Sequence, residues 1–153
     1  MFCLRLYTAY RIFYFIVFTC TSILLAMEPL QAQPDGSLKE KLYQYTWKKR
    51  VLLIVAPSST DEQLLKQKDI LHKQVSGIED RDMEVIYLPL NTISATDKEH
   101  LAQQFDIRQS GFYAILIGKD GGEKLRSQTP METDQLFGTI DAMPMRKQEM
   151  KNK

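Results

Sequence analysis

The chain has 153 residues, 44% of them hydrophobic, with 20 Lys+Arg against 19 Asp+Glu and a formal net charge of +1. That length fits one domain, and the apolar content is too high for a disordered chain. The balanced charge argues against a dedicated nucleic-acid binder, and two cysteines are too few for a disulfide scaffold.

The first segment differs from the rest. Arg5 and Arg11, with no acid nearby, precede an uncharged run from Ile12 to Ala26. A basic stretch followed by about 15 apolar residues is the pattern of a secretory signal peptide, and it falls short of the roughly 20 residues a spanning helix needs. Residues 1–32 are therefore expected to direct export to the periplasm or the medium, with Ala26 or Ala32 before the cut. An uncleaved N-terminal anchor is the alternative, and the only membrane contact expected. Cys3 and Cys20 both lie in this leader, so the remaining chain carries no thiol for a disulfide, a nucleophile or a metal ligand. Its core alone must hold it together, and about 120 residues suffice for that.

Residues 33–37, with Pro34 and Gly36, read as a linker to a domain spanning 38–150 and a short tail at 151–153. Leu38, Leu42 and Tyr45 have helical spacing within Ser37 to Trp47. Arg50 to Ala56 is an apolar, β-branched run closed by Pro57, the mark of a buried strand. Ser59-Thr60-Asp61-Glu62 has the capping-box pattern, with Ser59 as the cap. It opens a helix through Leu64, Leu71, Val75 and Ile78, interrupted by Lys68 and ending near Gly77. Met83 to Leu88 is a second strand. Thr96-Asp97-Lys98-Glu99 caps a helix with Leu101 and Phe105 inward, and Gly111 to Gly118 is a third strand. Lys119-Asp120-Gly121-Gly122 is a tight turn, because Asp-Gly supplies positive φ, and Glu123 to Ser127 returns as a fourth strand. Leu136, Phe137, Ile140 and Met143 line a last helix up to Pro144; Arg146 to Lys153 reads as a basic, frayed end. The order β-α-β-α-β-β-α gives an α/β domain: a mixed four-stranded sheet in a three-layer α/β/α sandwich. It matches the thioredoxin fold.

Local strings add to this. They are Trp47-Lys48-Lys49-Arg50-Val51-Leu52-Leu53, Asp80-Arg81-Asp82, Leu116 to Arg126, and Ile140-Asp141-Ala142-Met143-Pro144-Met145-Arg146. Over roughly Leu38 to Met150 the chain resembles a bacterial secreted family of unknown function, related to the repeated domains of sushi-repeat-containing matrix proteins. That group, the P-DUDES, is thioredoxin-like and nearest to peroxiredoxins, so the resemblance implies a fold and a compartment but no reaction. In working thioredoxins a reactive Cys follows the first strand at a helix N-terminus; here that place holds Pro57-Ser58-Ser59-Thr60. Thioredoxins also set a cis-Pro before the third strand, where this chain has Arg108-Gln109-Ser110-Gly111.

The remaining candidates are charged or hydroxylic. Ser59 and Thr60 read as helix caps, and with Ser58 they form a candidate site where free amides can also hold a small anion. Asp80-Arg81-Asp82 is either an anion or acid/base site or, more simply, a set of ion pairs bracing a loop. Gly118 to Gly122 lacks phosphate-loop spacing and reads as a hairpin. Arg81, Lys119, Arg126, Asp141 and Arg146 are candidates for a charged patch. Trp47 beside Lys48, Lys49 and Arg50 reads as a Trp packed on the sheet edge, with its basic neighbours in water. His72 and His100 make no metal cluster, and there is no Gly-x-Ser-x-Gly elbow, so no metal and no cofactor are expected. The expected role is a non-enzymatic module binding an extracytoplasmic protein or a small anionic ligand, not a nucleic acid. Two alternatives stand beside it. One is a cofactor-free enzyme with Asp80, Arg81, Asp82, Lys119, Asp120 and Arg126 in one cleft; the other is a structural module of the envelope or surface matrix.

Overall fold

The computed structural model describes residues 36–107 and 111–152. The leader with Cys3 and Cys20, the linker before Gly36 and the Arg108–Ser110 segment lie outside these described residues.

Strand β1 (Arg50–Ala56) is central, and all of it is buried. Its Val, Leu and Ile residues suit a strand covered on both faces. Strand β2 (Met83–Pro89) runs parallel beside it, from Arg50↔Met83 to Ala56↔Pro89. Strand β3 (Tyr113–Ile117) lies antiparallel on its other side, and β4 (Glu123–Ser127) antiparallel to β3. The sheet order β2-β1-β3-β4 is the expected mixed arrangement.

Side chains alternate across β1 and build two cores. Leu52, Ile54 and Ala56 meet Leu64 and Leu71 of α2 (Glu62–His72) and Leu136 and Ile140 of α5 (Thr133–Ala142). Val51, Leu53 and Val55 meet Leu38 of α1 (Leu38–Tyr45) and Leu101 and Phe105 of α4 (Ala95–Phe105). Each fully buried Val, Leu or Ile among them contributes about 1.5–3 kcal/mol. Helix α3 (Val75–Asp80) leads into β2, and α6 (Pro144–Lys151) ends the described chain.

The helix boundaries depart from the sequence pattern in instructive ways. Ser37 caps α1 as a true capping box, with Glu40 reaching back to the Ser37 amide. Helix α2 is capped by Asp61, not Ser59: the Asp61 carboxylate accepts from the Leu64 amide at 3.0 Å. Helix α4 is capped by Ser94, not Thr96. Asp97 is thereby free to accept the Leu38 amide at 2.8 Å, tying α1 to α4. The long helix expected through Ile78 is broken at Lys73 and Gln74, which leaves Val75 half exposed at the start of α3. Gly77 lies inside α3 and is no helix end. A Cβ there would stand 2.8 Å from the Phe137 ring, so the residue is small because α5 approaches it closely. Instead of a frayed end, Pro144–Lys151 form α6, with Arg146 buried. Gly121 takes φ +79° in the β3–β4 turn, as the Asp-Gly pair requires.

One buried polar residue holds two segments together. Gln67 on α2 donates to the Met131 carbonyl at 3.1 Å and accepts the Met131 amide at 2.7 Å, with no solvent exposure. It faces inward where the apolar pattern had shown only a gap, while Lys68 turns out over the Tyr87 ring at 5.1 Å. Gln67→Leu should cost roughly 2–4 kcal/mol, because it leaves two buried backbone groups unpaired. Urea unfolding of the variant measures this.

Candidate functional site

The ends of β1 form two poles, roughly 20 Å apart for a strand of this length. At the C-terminal pole are Ser58, Ser59 and Thr60. The Ser58 and Thr60 hydroxyls lie 3.1 Å apart in the exposed turn before α2. They do not cap the helix, and the Asp61 carboxylate already occupies the Leu64 amide.

The N-terminal pole is dense with charge. Arg50, the first residue of β1, is only 1% exposed. It holds the Glu149 carboxylate with both terminal nitrogens, at 3.2 and 3.1 Å, and donates to the Arg81 carbonyl at 2.8 Å. Lys119 bridges Asp82 at 2.9 Å and Glu149 at 2.8 Å. Arg146, also buried, donates to the Asp80 carbonyl at 2.7 Å, pairs with the Asp80 carboxylate and reaches Asp141 at 3.3 Å. Arg81 forms a two-point pair with Asp141, at 3.1 and 2.6 Å, and lies over the Phe137 ring at 4.2 Å. Four cations thus face four carboxylates in one network.

The field within it is visible in the titrating groups. Burial pushes the Glu149 carboxyl up, but hydrogen bonds from Lys119 and Arg50 outweigh this and hold it below the ordinary range. Asp141 behaves alike: burial raises it, and bonds from Arg81 and Arg146 leave it lowered. Burial pulls the Lys119 ammonium down, and its bonds to Glu149 and Asp82 leave it raised.

The structure therefore brings together Asp80, Arg81, Asp82, Lys119, Asp141 and Arg146. It does not bring Asp120 or Arg126 to them. Asp120 pairs with Lys124 at 2.6 Å within the hairpin. Arg126 makes a two-point pair with Glu123, at 2.9 and 2.6 Å, and donates to the Phe105 carbonyl at 2.8 Å. The six residues required in one cleft by the cofactor-free enzyme are split. Two members of the network, Arg50 and Glu149, escaped the sequence reading. A charged residue heading a seven-residue buried strand was the available signal for Arg50; Glu149 lay in what resembled a solvated tail.

A second feature is an open groove of about 600 Å³ between α1, α4 and the β3–β4 turn, lined by Tyr43, Tyr45, Lys39, His100, Gln104 and Phe105 among others. Tyr43 on its rim is 81% exposed. Trp47 follows just beyond α1, in the left-handed region at φ 64°, and is 67% exposed; it is not packed on the sheet edge. Its amide donates to the Lys119 carbonyl at 2.6 Å, which fixes the α1–β1 turn against the hairpin. Of its neighbours, Lys49 is paired with Glu84 at 2.7 Å and Arg50 is buried. Among the described residues no group of three or more His, Cys, Asp or Glu is placed to hold a metal ion.

Residues 41–149 match the family model described as domain of unknown function DUF4174. The chain belongs to that family. A Danio rerio protein, coiled-coil domain-containing protein 80, is 28% identical over 138 residues. That match covers 74% of this chain and only 16% of the fish protein, so the chain spans a small part of its relative's length. Among solved structures, the reduced 2-Cys peroxiredoxin of Plasmodium vivax superposes with a TM-score of 0.53 at 15% identity, covering 73% of this chain and 85% of that one. Plasmodium yoelii thioredoxin peroxidase I gives 0.54 at 17% identity, covering 70% and 79%. These likenesses establish a thioredoxin-like fold for this DUF4174 domain.

Breaking the network should be costly. Arg146→Met removes a buried donor from the Asp80 carbonyl and carboxylate, leaves Asp141 to Arg81 alone, and should cost about 1.5–3 kcal/mol; Arg126→Met, at an exposed pair, should cost under about 1 kcal/mol. Denaturant unfolding compares them. Because Asp141 and Glu149 are held below their ordinary values, their stabilisation is complete above the ordinary carboxylate range, about pH 4. It is lost as pH falls through the lowered folded values. Thermal unfolding against pH should be shallower on the acid side for Glu149→Gln.

Proposed function

We propose that this DUF4174 domain is an exported, thioredoxin-like module that binds a protein partner and performs no thiol chemistry. The observation that carries this reading is Tyr43, largely exposed among the residues lining the open α1–α4 groove, with Trp47 exposed in the turn that follows α1. Tyr and Trp are the side chains that most often anchor interfaces, since each covers a large area at little conformational cost and keeps a polar tip. Two large exposed aromatics only four residues apart in sequence are more than the scattered apolar residues of an ordinary surface.

Two further observations support it. The turn between β1 and α2 presents Ser58, Ser59 and Thr60, and a serine hydroxyl without a base is a poor nucleophile. The charged network at the opposite pole pairs its members with one another. Export rests on the basic and apolar pattern of residues 1–32. The strings around Trp47, Asp80, Gly118 and Asp141 support placing the chain with the P-DUDES group as a bacterial secreted member.

Cross-linking of the tagged full-length protein in cells, followed by mass spectrometry of the extracytoplasmic fraction, tests compartment and partner together. A reproducible protein partner is expected. Tyr43→Ala with Trp47→Ala should weaken its capture by roughly tenfold or more, the loss of one strong anchor, without moving the unfolding midpoint. Reduction of a disulfide substrate or of peroxide by the purified protein would overturn the reading.

A further inference from the structure

Helix α6 is turned the unusual way round. An ordinary surface helix buries an apolar stripe and wets its charges. Here Arg146 is 3% exposed and Glu149 is tucked against Arg50, while Met145 and Met150 are 40% and 44% exposed. The helix is therefore fastened largely by ion pairs and hydrogen bonds. Attraction of that kind repays little beyond its own desolvation, and salt screens what reaches solvent.

The receiving side has the form of a ligand site. Arg50 presents its two terminal nitrogens to one carboxylate, the planar two-point geometry by which guanidinium recognises carboxylates. Lys119 adds a third donor at 2.8 Å, and an Arg146 nitrogen stands 3.7 Å away. The Arg50 Nε is buried with no hydrogen-bond partner, so this side chain has donor capacity to spare. Arg50 is held by the head of β1, by the Arg81 carbonyl and by the surrounding core, and Lys119 by the hairpin and Asp82. Each therefore has a hydrogen-bond partner outside α6.

We propose that Arg50 and Lys119 form a carboxylate-binding site, filled within the chain by Glu149, and that α6 is a strap which an external carboxylate can displace. The ligand class is a carboxylate, borne either by a small acid or by the acidic side chain of another polypeptide. The site stands apart from the α1–α4 groove and does not rest on the function proposed for it.

The test uses the full chain. Glu149→Ala removes a CH₂ and a carboxylate, nearly the atoms of acetate. Adding acetate should raise the thermal midpoint of this variant saturably, by roughly 3 °C or more over chloride at equal ionic strength. The unaltered protein, in which Glu149 competes for the site, should show a much smaller shift, and Glu149→Ala combined with Arg50→Met none. A synthetic copy of residues 144–152 should act likewise, and the copy with Gln for its Glu should not. Rescue by the peptide alone would assign the site to polypeptide acids, and rescue by both would include small acids. Rescue by neither would overturn the proposal, as would an equal shift in the unaltered protein. Should Glu149→Ala fail to fold, amide hydrogen exchange on the unaltered chain decides. Residues 144–151 should exchange roughly tenfold or more faster than β1, and faster still as salt rises. Exchange at the core's rate at every salt concentration would mean α6 never lifts, and the proposal falls.

Discussion

A guanidinium buried at the head of the central strand organises one whole end of this molecule. Arg50 is the first residue of β1, and β1 is covered on both faces, so its charge enters the interior with the strand. A buried cation without an anion costs several kcal/mol, and the fold answers with the Glu149 carboxylate. That carboxylate needs further donors, which brings Lys119 from the hairpin and, through Lys119, Asp82 from the start of β2. Arg146 on the same helix turn completes the chain to Asp80 and Asp141. The order of the last helix, the loop before β2 and the β3–β4 turn thus follows from one placement.

The two ends of the sheet consequently have different characters. In the thioredoxin fold the chemistry belongs at the C-terminal end of the first strand, where a helix N-terminus lowers a thiol's pKa. In this DUF4174 domain that end carries a plain hydroxylic turn, and the helix N-terminus is served by its own Asp61. Charge is concentrated at the other end. Pairing there is close to complete, which makes the network chiefly a brace for tertiary structure. The Glu149 position differs from the rest because the strap that brings it shows its methionines to solvent.

The face built by α1 and α4 is the one proposed to meet a partner. The Leu38 amide bonded to Asp97 ties the two helices side by side, and the groove opens between them toward the hairpin. The Trp47 amide bonded to the Lys119 carbonyl holds the turn that displays the indole. The same residue, Lys119, therefore serves the charged pole through its side chain and the Trp47 turn through its backbone.

The strands, their order and the two-faced core were legible in the sequence, because apolar runs, β-branching and Asp-Gly turns act over a few residues. Arg50 to Ala56 and Leu116 to Ser127 announce themselves in this way. Caps were legible only to within two residues: Ser59 and Asp61, or Thr96 and Ser94, satisfy the same local pattern, and the packing of the helix selects between them. Lys68 looked like the break in the apolar stripe and Gln67 drew no notice, because the Gln67 partner, the Met131 backbone, lies 64 residues away. Of the charged candidates, Asp80, Arg81, Asp82, Lys119, Asp141 and Arg146 converged and Asp120 and Arg126 did not. Nothing local separates the two sets, since any Lys or Arg of an exposed stretch looks the same until an opposite charge from a distant segment is set beside it. Residue types and spacing determined the layers of this protein. Only the folding of α6 back onto the head of β1 decided that Arg50 and Arg146 are buried, because their carboxylate partners come from distant segments.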